Sequence, residues 1–116
     1  MRALFIATAL LLALSSCKLL DSHPADGSWT HVYAETQCSD AWNGSGIPDV
    51  SGTIAGVTAY LQANGISPSA VGVEVYAEGP FCAACQCPSG RRILVEVAAA
   101  DADSLEALDG GLWIPY

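Results

Sequence analysis

Hydrophobic and polar residues alternate along three segments of the chain, with the period of two that is typical of half-buried β-strands. In the second segment valine or alanine occupies every second position, and in the third isoleucine, valine or alanine does so. One face of each strand is therefore expected to be buried and the other to face solvent. The three predicted strands span residues 29–37, 70–78 and 92–99.

Two other segments have the periodicity of a helix. Over residues 49–64 the apolar side chains recur at intervals of three and four, which places them on a single stripe. Asp49 is a candidate N-cap for this helix, since its carboxylate can accept a hydrogen bond from a free backbone N–H of the first turn. A shorter helix is predicted over residues 101–108, with Asp101 or Asp103 as its cap.

The predicted order is strand, helix, strand, strand, helix, followed by an apolar tail at residues 112–116 that can pack back as a fourth, edge strand. One amphipathic helix covering an apolar sheet face makes a two-layer α+β domain. The order resembles a partial ferredoxin-like unit without a clear last strand, and a likeness of fold implies no function. The domain is expected to span residues 29–116.

Length and charge narrow the possible functions. The chain has 116 residues, which is one domain at most. It contains 12 Asp and Glu residues against 4 Lys and Arg, for a formal net charge of −8. Nucleic acid and polybasic lipid contacts both need clustered positive charge, so this composition argues against them. No combination of side chains resembles a catalytic site, and no enzymatic activity is predicted.

The first residues have the pattern of an export signal. Arg2 is followed by residues 3–14, which carry no charge and are mostly alanine and leucine. A membrane-spanning helix needs roughly 20 apolar residues, so this shorter stretch matches the apolar region of a secretory signal peptide. Residues 1–16 are predicted to be that signal peptide.

The end of the apolar stretch, Leu14-Ser15-Ser16-Cys17, resembles the lipobox of bacterial lipoproteins. The resemblance implies that the chain is cleaved before Cys17 and that the Cys17 thiol carries a diacylglycerol. It also implies that the new amine receives a fatty acyl chain such as palmitate. The alternatives are an ordinary signal peptide in which Cys17 is incidental, and a buried N-terminal helix. Residues 17–28 are expected to comprise the lipidated cysteine and a flexible tether.

Two or three acyl chains hold a protein stably on a membrane, so the resemblance implies a cell-envelope location with the membrane as partner. In Gram-negative lipoproteins an Asp after the lipidated cysteine is associated with inner-membrane retention. Lys18 stands there in this chain, which favours the outer membrane if the organism has one. Residues 36–42 and 82–91 also resemble the two cysteine blocks of small bacterial lipoproteins, a resemblance that implies no activity.

The other four cysteines are expected to meet in space. A right-handed crossover makes the first two strands parallel within one sheet, so their carboxyl ends lie on the same side. Cys38 follows the first strand, and Cys82, Cys85 and Cys87 follow the second. All four thiols are therefore predicted at one edge of the sheet.

Three interpretations of these cysteines remain open. In an oxidising compartment they can form two disulfides, one of which ties Cys38 to the hairpin loop, with Cys85–Cys87 as the least favourable pair. They can instead be four thiolate ligands of a zinc or copper ion. The third possibility is thiol–disulfide exchange through the Cys82 and Cys85 pair.

Three further side chains are singled out by position. His31 is expected to be partly exposed on the first strand, and Arg91 and Arg92 are expected to face Glu74 or Glu78 across the hairpin. Taken together, the sequence predicts a lipid-anchored, exported bacterial envelope protein with a structural or interaction role, stapled by two disulfides. No cofactor is predicted on this interpretation, and the metal-binding and redox functions are its alternatives.

Overall fold

A computed structural model describes residues 28–44, 46–78 and 82–116 of the protein. The predicted signal peptide, Cys17 and the predicted tether up to residue 27 lie outside the described residues. Two helices and four strands follow one another in the predicted order, with one 3₁₀ turn before the last strand. Their bounds are β1 His31–Thr36, α1 Val50–Ala63, β2 Ala70–Val75, β3 Pro88–Glu96, α2 Ala99–Ala107, the 3₁₀ turn Leu108–Gly110 and β4 Ile114–Pro115.

The strands form one antiparallel sheet in the order β2-β3-β1-β4. The two-layer α+β class and the order of its elements are therefore confirmed. The apolar tail supplies the fourth strand at the edge beside β1, which completes the strand order of a ferredoxin-like sheet. Strands β1 and β2 run in the same direction, and β3 lies between them because α1 crosses over one strand.

Both helices pack on the same face of the sheet, and the core lies between the two layers. The predicted stripe of α1 buries Val57 and Leu61 completely against β3, whose Ile93 and Val95 are also inaccessible. The Asp49 cap is confirmed, since its Oδ1 accepts a hydrogen bond of 2.7 Å from the backbone N–H of Gly52. The tail contributes the largest core side chain, that of Trp113.

Several predicted boundaries are wrong, and strands β2 and β3 each end three residues earlier than predicted. Strand β3 begins at Pro88 instead of residue 92, because pairing with β1 resumes beyond a bulge, where Thr36 faces Pro88. Helix α2 begins at Ala99, and its N-cap, Ala98, makes no side-chain cap hydrogen bond. Asp101 thus lies within the first turn, where a carboxylate favours the helix dipole without capping it.

The expected exposure of His31 is also wrong, because α2 packs over this part of β1. His31 is only 4 % exposed. Its Nε2 lies 2.9 Å from Oε1 of Glu106 on α2, and its Nδ1 lies 3.0 Å from the Thr30 hydroxyl. Helix α2 therefore provides a hydrogen-bond partner for the buried imidazole of His31 on the inner face of β1.

Candidate functional site

Two disulfides define one end of the sheet, and we call this region, residues 36–38 with 82–88, the cysteine rim. Cys38 is joined to Cys85 and Cys82 to Cys87, with Cα–Cα separations of 4.5 and 5.8 Å. The first bridge ties the end of β1 to the loop before β3, and the second closes a short ring inside that loop. All four sulfurs lie at the end of the sheet where the strand directions predict them.

Backbone hydrogen bonds hold the rim together beside its two bridges. The N–H of Gln37 donates to the carbonyl of Cys87 at 2.8 Å, and the N–H of Cys38 donates to that of Cys85 at 3.0 Å. The Gln37 side chain donates to the carbonyl of Cys82 at 2.8 Å. Residues 82–87, which precede β3, are therefore attached by covalent and polar contacts to the two residues that follow β1.

With all four sulfurs in disulfides, this arrangement offers no thiolate to a metal ion. Among residues 28–44, 46–78 and 82–116 there is no group of three or more His, Cys, Asp or Glu side chains placed to hold a metal. Cys87 is buried, whereas Cys82 and Cys85 are exposed, so each bridge presents one sulfur-bearing residue to solvent.

A buried carboxylate supports the rim from behind. Asp40 accepts hydrogen bonds from the Tyr33 hydroxyl at 2.5 Å and from the backbone N–H of Thr36 at 2.8 Å. Asn43 donates to the same carboxylate at 3.2 Å and to the carbonyl of Thr36 at 2.8 Å. Burial, reinforced by the hydrogen bond to Asp40, raises the pKa of Tyr33. The turn after Cys38 is thus attached to the core through side chains.

A buried ion pair, which the hydrophobic pattern of the sequence did not predict, joins β1 to β3 near the rim. Glu35 is fully buried, and its two carboxylate oxygens each accept a 2.6 Å hydrogen bond from the Arg91 guanidinium. Ser89 donates to the same carboxylate at 2.8 Å, and Arg91 donates to Thr53 and to the carbonyl of Pro48 on the helix side. All the polar atoms of this pair are therefore well supplied with partners.

The expected pairing of the two arginines is half right. Arg92 does pair with Glu74, at 2.9 Å, but Arg91 pairs with Glu35. Successive side chains of a strand point to opposite faces, so adjacent arginines cannot share a partner on one face. The sequence does contain a signal for this pair, because side chains two positions apart on a strand lie on the same face. Glu35 lies two positions after Tyr33 and Arg91 two positions before Ile93, so both fall on the buried face.

Four aromatic rings continue the core from the rim towards the tail. Trp42 packs 5.2 Å from Tyr33, 5.6 Å from Tyr60 and 6.1 Å from Trp113, measured between ring centroids. Asp109, which has a left-handed backbone with φ of 53°, accepts hydrogen bonds from the Tyr60 hydroxyl and from the Trp113 indole N–H. The turn before β4 is thereby locked to α1.

The Tyr60–Asp109 contact predicts a loss of stability in alkali. The hydrogen bond to Asp109, followed by burial, raises the pKa of Tyr60 from 10.0 to about 12. The neutral phenol is favoured in the folded state, so its contribution is complete below pH 10 and disappears as the pH rises towards 12. The free energy of unfolding, measured in urea between pH 10 and 12, should fall less with rising pH in Tyr60→Phe than in the wild type. An equal fall in both proteins would show that Tyr60 does not cause the loss of stability in alkali.

Comparison with known protein families, with curated protein sequences and with solved structures finds no match. Function is therefore inferred from the residues of this chain. Within the described part of the chain, none of the helices combines the length and apolar character required to traverse a bilayer.

Proposed function

We propose that the protein is a lipid-anchored bacterial envelope protein, attached through Cys17, whose domain has a structural or interaction role. The observation that carries the proposal is the pairing of the cysteines. The chain contains five, and four of them form the two bridges of the rim. The fifth, Cys17, is the one at the lipobox position, so lipidation accounts for the cysteine that the disulfides do not use.

The two bridges also agree with export. Structural disulfides persist in oxidising compartments such as the bacterial periplasm or the cell surface, and they are rare in the cytosol. A signal peptide of the predicted kind would deliver the chain to such a compartment. The separate inferences from residues 1–17 and from the rim therefore support one location, the cell envelope.

Intact mass spectrometry of the protein from bacterial membranes tests this proposal. The expected species begins at Cys17, carries a diacylglycerol and an amide-linked acyl chain, and lacks the four hydrogens lost in two disulfides. Cys17→Ala should abolish the lipid mass and release the protein from the membrane fraction. Lys18→Ala, which leaves the lipobox motif intact, is the matched control and should remain lipidated.

Two other results would redirect the proposal. A chain cleaved elsewhere, with an unmodified Cys17 thiol, would leave an ordinary exported protein. A species with bound zinc or copper and four alkylatable thiols would favour the metal-binding alternative over the disulfide-stapled domain.

A further inference from the structure

One face of the sheet is not covered by the helices, and apolar side chains occupy most of it. The strand register places Gly72, Leu94, Val32 and Ile114 side by side in a row across all four strands. Ile114 is 54 % exposed and Tyr116, further along the tail, is 64 % exposed. We call this surface the open face, and Leu94 at its centre is only 6 % exposed. The other side chains of the open face are those of Val32, Ala34, Glu74, Tyr76, Arg92, Glu96, Leu112, Ile114 and Tyr116.

The open face contains a groove, and the Arg92 side chain beside it forms an ion pair with Glu74. A cavity of about 270 Å³ is bordered by Tyr76, Leu112 and Ile114, among others. Arg92 lies beside it, paired with Glu74 at 2.9 and 3.1 Å and within 5.9 Å of the Tyr76 ring centre. The hydrogen bond from Arg92 lowers the pKa of Glu74, so this pair remains ionised and carries no net charge.

Negative charge is concentrated on the opposite, helical side of the domain. Helix α2 and the turn after it carry four acids in 12 residues and no Lys or Arg. Residues 28–116 contain two arginines, and each forms an ion pair: Arg91 with Glu35 and Arg92 with Glu74. Glu96, at the end of β3, lies on the open face by its register and accepts hydrogen bonds from Ser28 and Ser69. The domain therefore has a strongly acidic helical side and a mainly apolar side that carries the Glu96 carboxylate and the Glu74–Arg92 pair.

The chain before the domain enters beside the open face. Ser28 contacts the end of β3, and the carbonyl of Thr30 accepts a hydrogen bond from the N–H of Tyr116. Trp29 borders a second cavity, of about 360 Å³, together with Leu94 and Tyr116. The 11 residue steps from Cys17 to Ser28 can reach at most about 40 Å.

We propose that the open face docks on the surface of the lipid bilayer that holds Cys17, so that the sheet lies on the membrane and the acidic helices face away from it. This inference rests on the lipid anchor proposed above. An exposed apolar surface of this kind marks a protein or membrane contact. Tyrosine and tryptophan are favoured at the membrane interface because their apolar rings contact lipid while their polar groups contact water. Anionic headgroups repel the helical side, with its four acids and no Lys or Arg, more strongly than the open face.

Hydroxyl-radical footprinting of a tethered protein tests the orientation. The mature chain, residues 17–116, has one thiol outside the disulfides, that of Cys17, which couples it to phosphatidylethanolamine–phosphatidylglycerol vesicles carrying a maleimide lipid. On vesicles, labelling of Tyr76, Ile114 and Tyr116 should fall at least about threefold relative to the free protein. Labelling of Ile47, which is 46 % exposed just before α1, should not change.

A pair of variants separates docking on lipid from crowding at the vesicle surface. Leu112→Asp/Ile114→Asp places two charges on the open face, at side chains that are more than half exposed, so the fold should survive. This variant should lose the protection of Tyr76 on vesicles. The matched control, Ile47→Asp, adds a charge outside the open face and should keep it. Circular dichroism and the mass of two disulfides check that each variant is folded.

Several outcomes would overturn the proposal. Equal labelling of the open face on and off vesicles, or a uniform decrease that includes Ile47, would exclude docking by this face. Protection that rises with protein concentration in the absence of vesicles would assign the face to a second copy of the chain. Because the anchor is supplied chemically, a failure of lipidation in bacteria would leave this result unaffected, and the two proposals can fail separately.

Discussion

Replacing Cys38 and Cys85 by alanine is expected to lower the free energy of unfolding by about 4 kcal/mol. The bridge joins residues 47 positions apart, and a cross-link of that span removes much of the conformational entropy of the unfolded chain. The total free energy of unfolding of a small domain is roughly 5–15 kcal/mol, so this loss would leave the protein only marginally stable. Equilibrium unfolding in urea, with the remaining Cys82–Cys87 bridge verified by mass, measures the effect.

The second bridge provides the matched control. Cys82 and Cys87 are five positions apart, so the same entropy argument gives Cys82→Ala/Cys87→Ala a loss of about 2 kcal/mol. The backbone hydrogen bonds from Gln37 and Cys38 would still hold the loop to β1. If the two double variants were equally stable, the long bridge would not be acting through the unfolded state, and the rim would owe its stability to other contacts.

Removal of either member of the buried ion pair is expected to have an effect of similar size. Glu35→Ala leaves the Arg91 guanidinium without its carboxylate, in a site where Glu35 itself is inaccessible to water. An uncompensated charge of this kind costs about 3–5 kcal/mol. Arg91→Ala should be destabilised to a similar extent, since it strands the carboxylate instead. Thermal and urea unfolding of the two single variants measure this loss.

A double variant distinguishes the cost of a stranded charge from the contribution of the pair. Glu35→Leu/Arg91→Met removes both charges and keeps apolar volume, so it should recover most of the stability lost in either single variant. The exposed pair serves as a control, and Glu74→Ala/Arg92→Ala should change the stability little because water screens it. A double variant no more stable than Glu35→Ala would mean that the pair itself stabilises the fold.

The outline of the fold could be predicted from the sequence because it depends on local periodicity. Alternation indicated strands β1, β2 and β3, and the stripe ending at Leu61 indicated α1 with its Asp49 cap. Boundaries were less well predicted where tertiary contacts extend an element. Strand β3 starts at Pro88 because β1 lies beside it after a bulge, and pairing across a bulge leaves no mark on hydrophobic alternation.

The partners of the buried polar side chains could not be predicted from the sequence, although strand alternation places Glu35 and Arg91 on the buried face. His31 is covered by α2, and the position of α2 over β1 depends on packing around Leu105 and Trp113. Glu35 is charged, which in a strand usually predicts exposure, and its burial is tolerable because Arg91 and Ser89 both donate hydrogen bonds to its carboxylate. Both residues required knowledge of what lies opposite them in three dimensions.

The class of the fold, the end of the sheet at which the cysteines meet, and the lipobox-like position of the fifth cysteine were all predictable from the order of the residues. These follow from periodicity, strand direction and local motif, which are properties of neighbouring residues. The pairing of the cysteines, the common burial of Glu35 and Arg91, and the open apolar face of the sheet are apparent only in three dimensions. Each of these depends on distances between segments far apart in the chain, where packing selects one partner among several of similar chemistry.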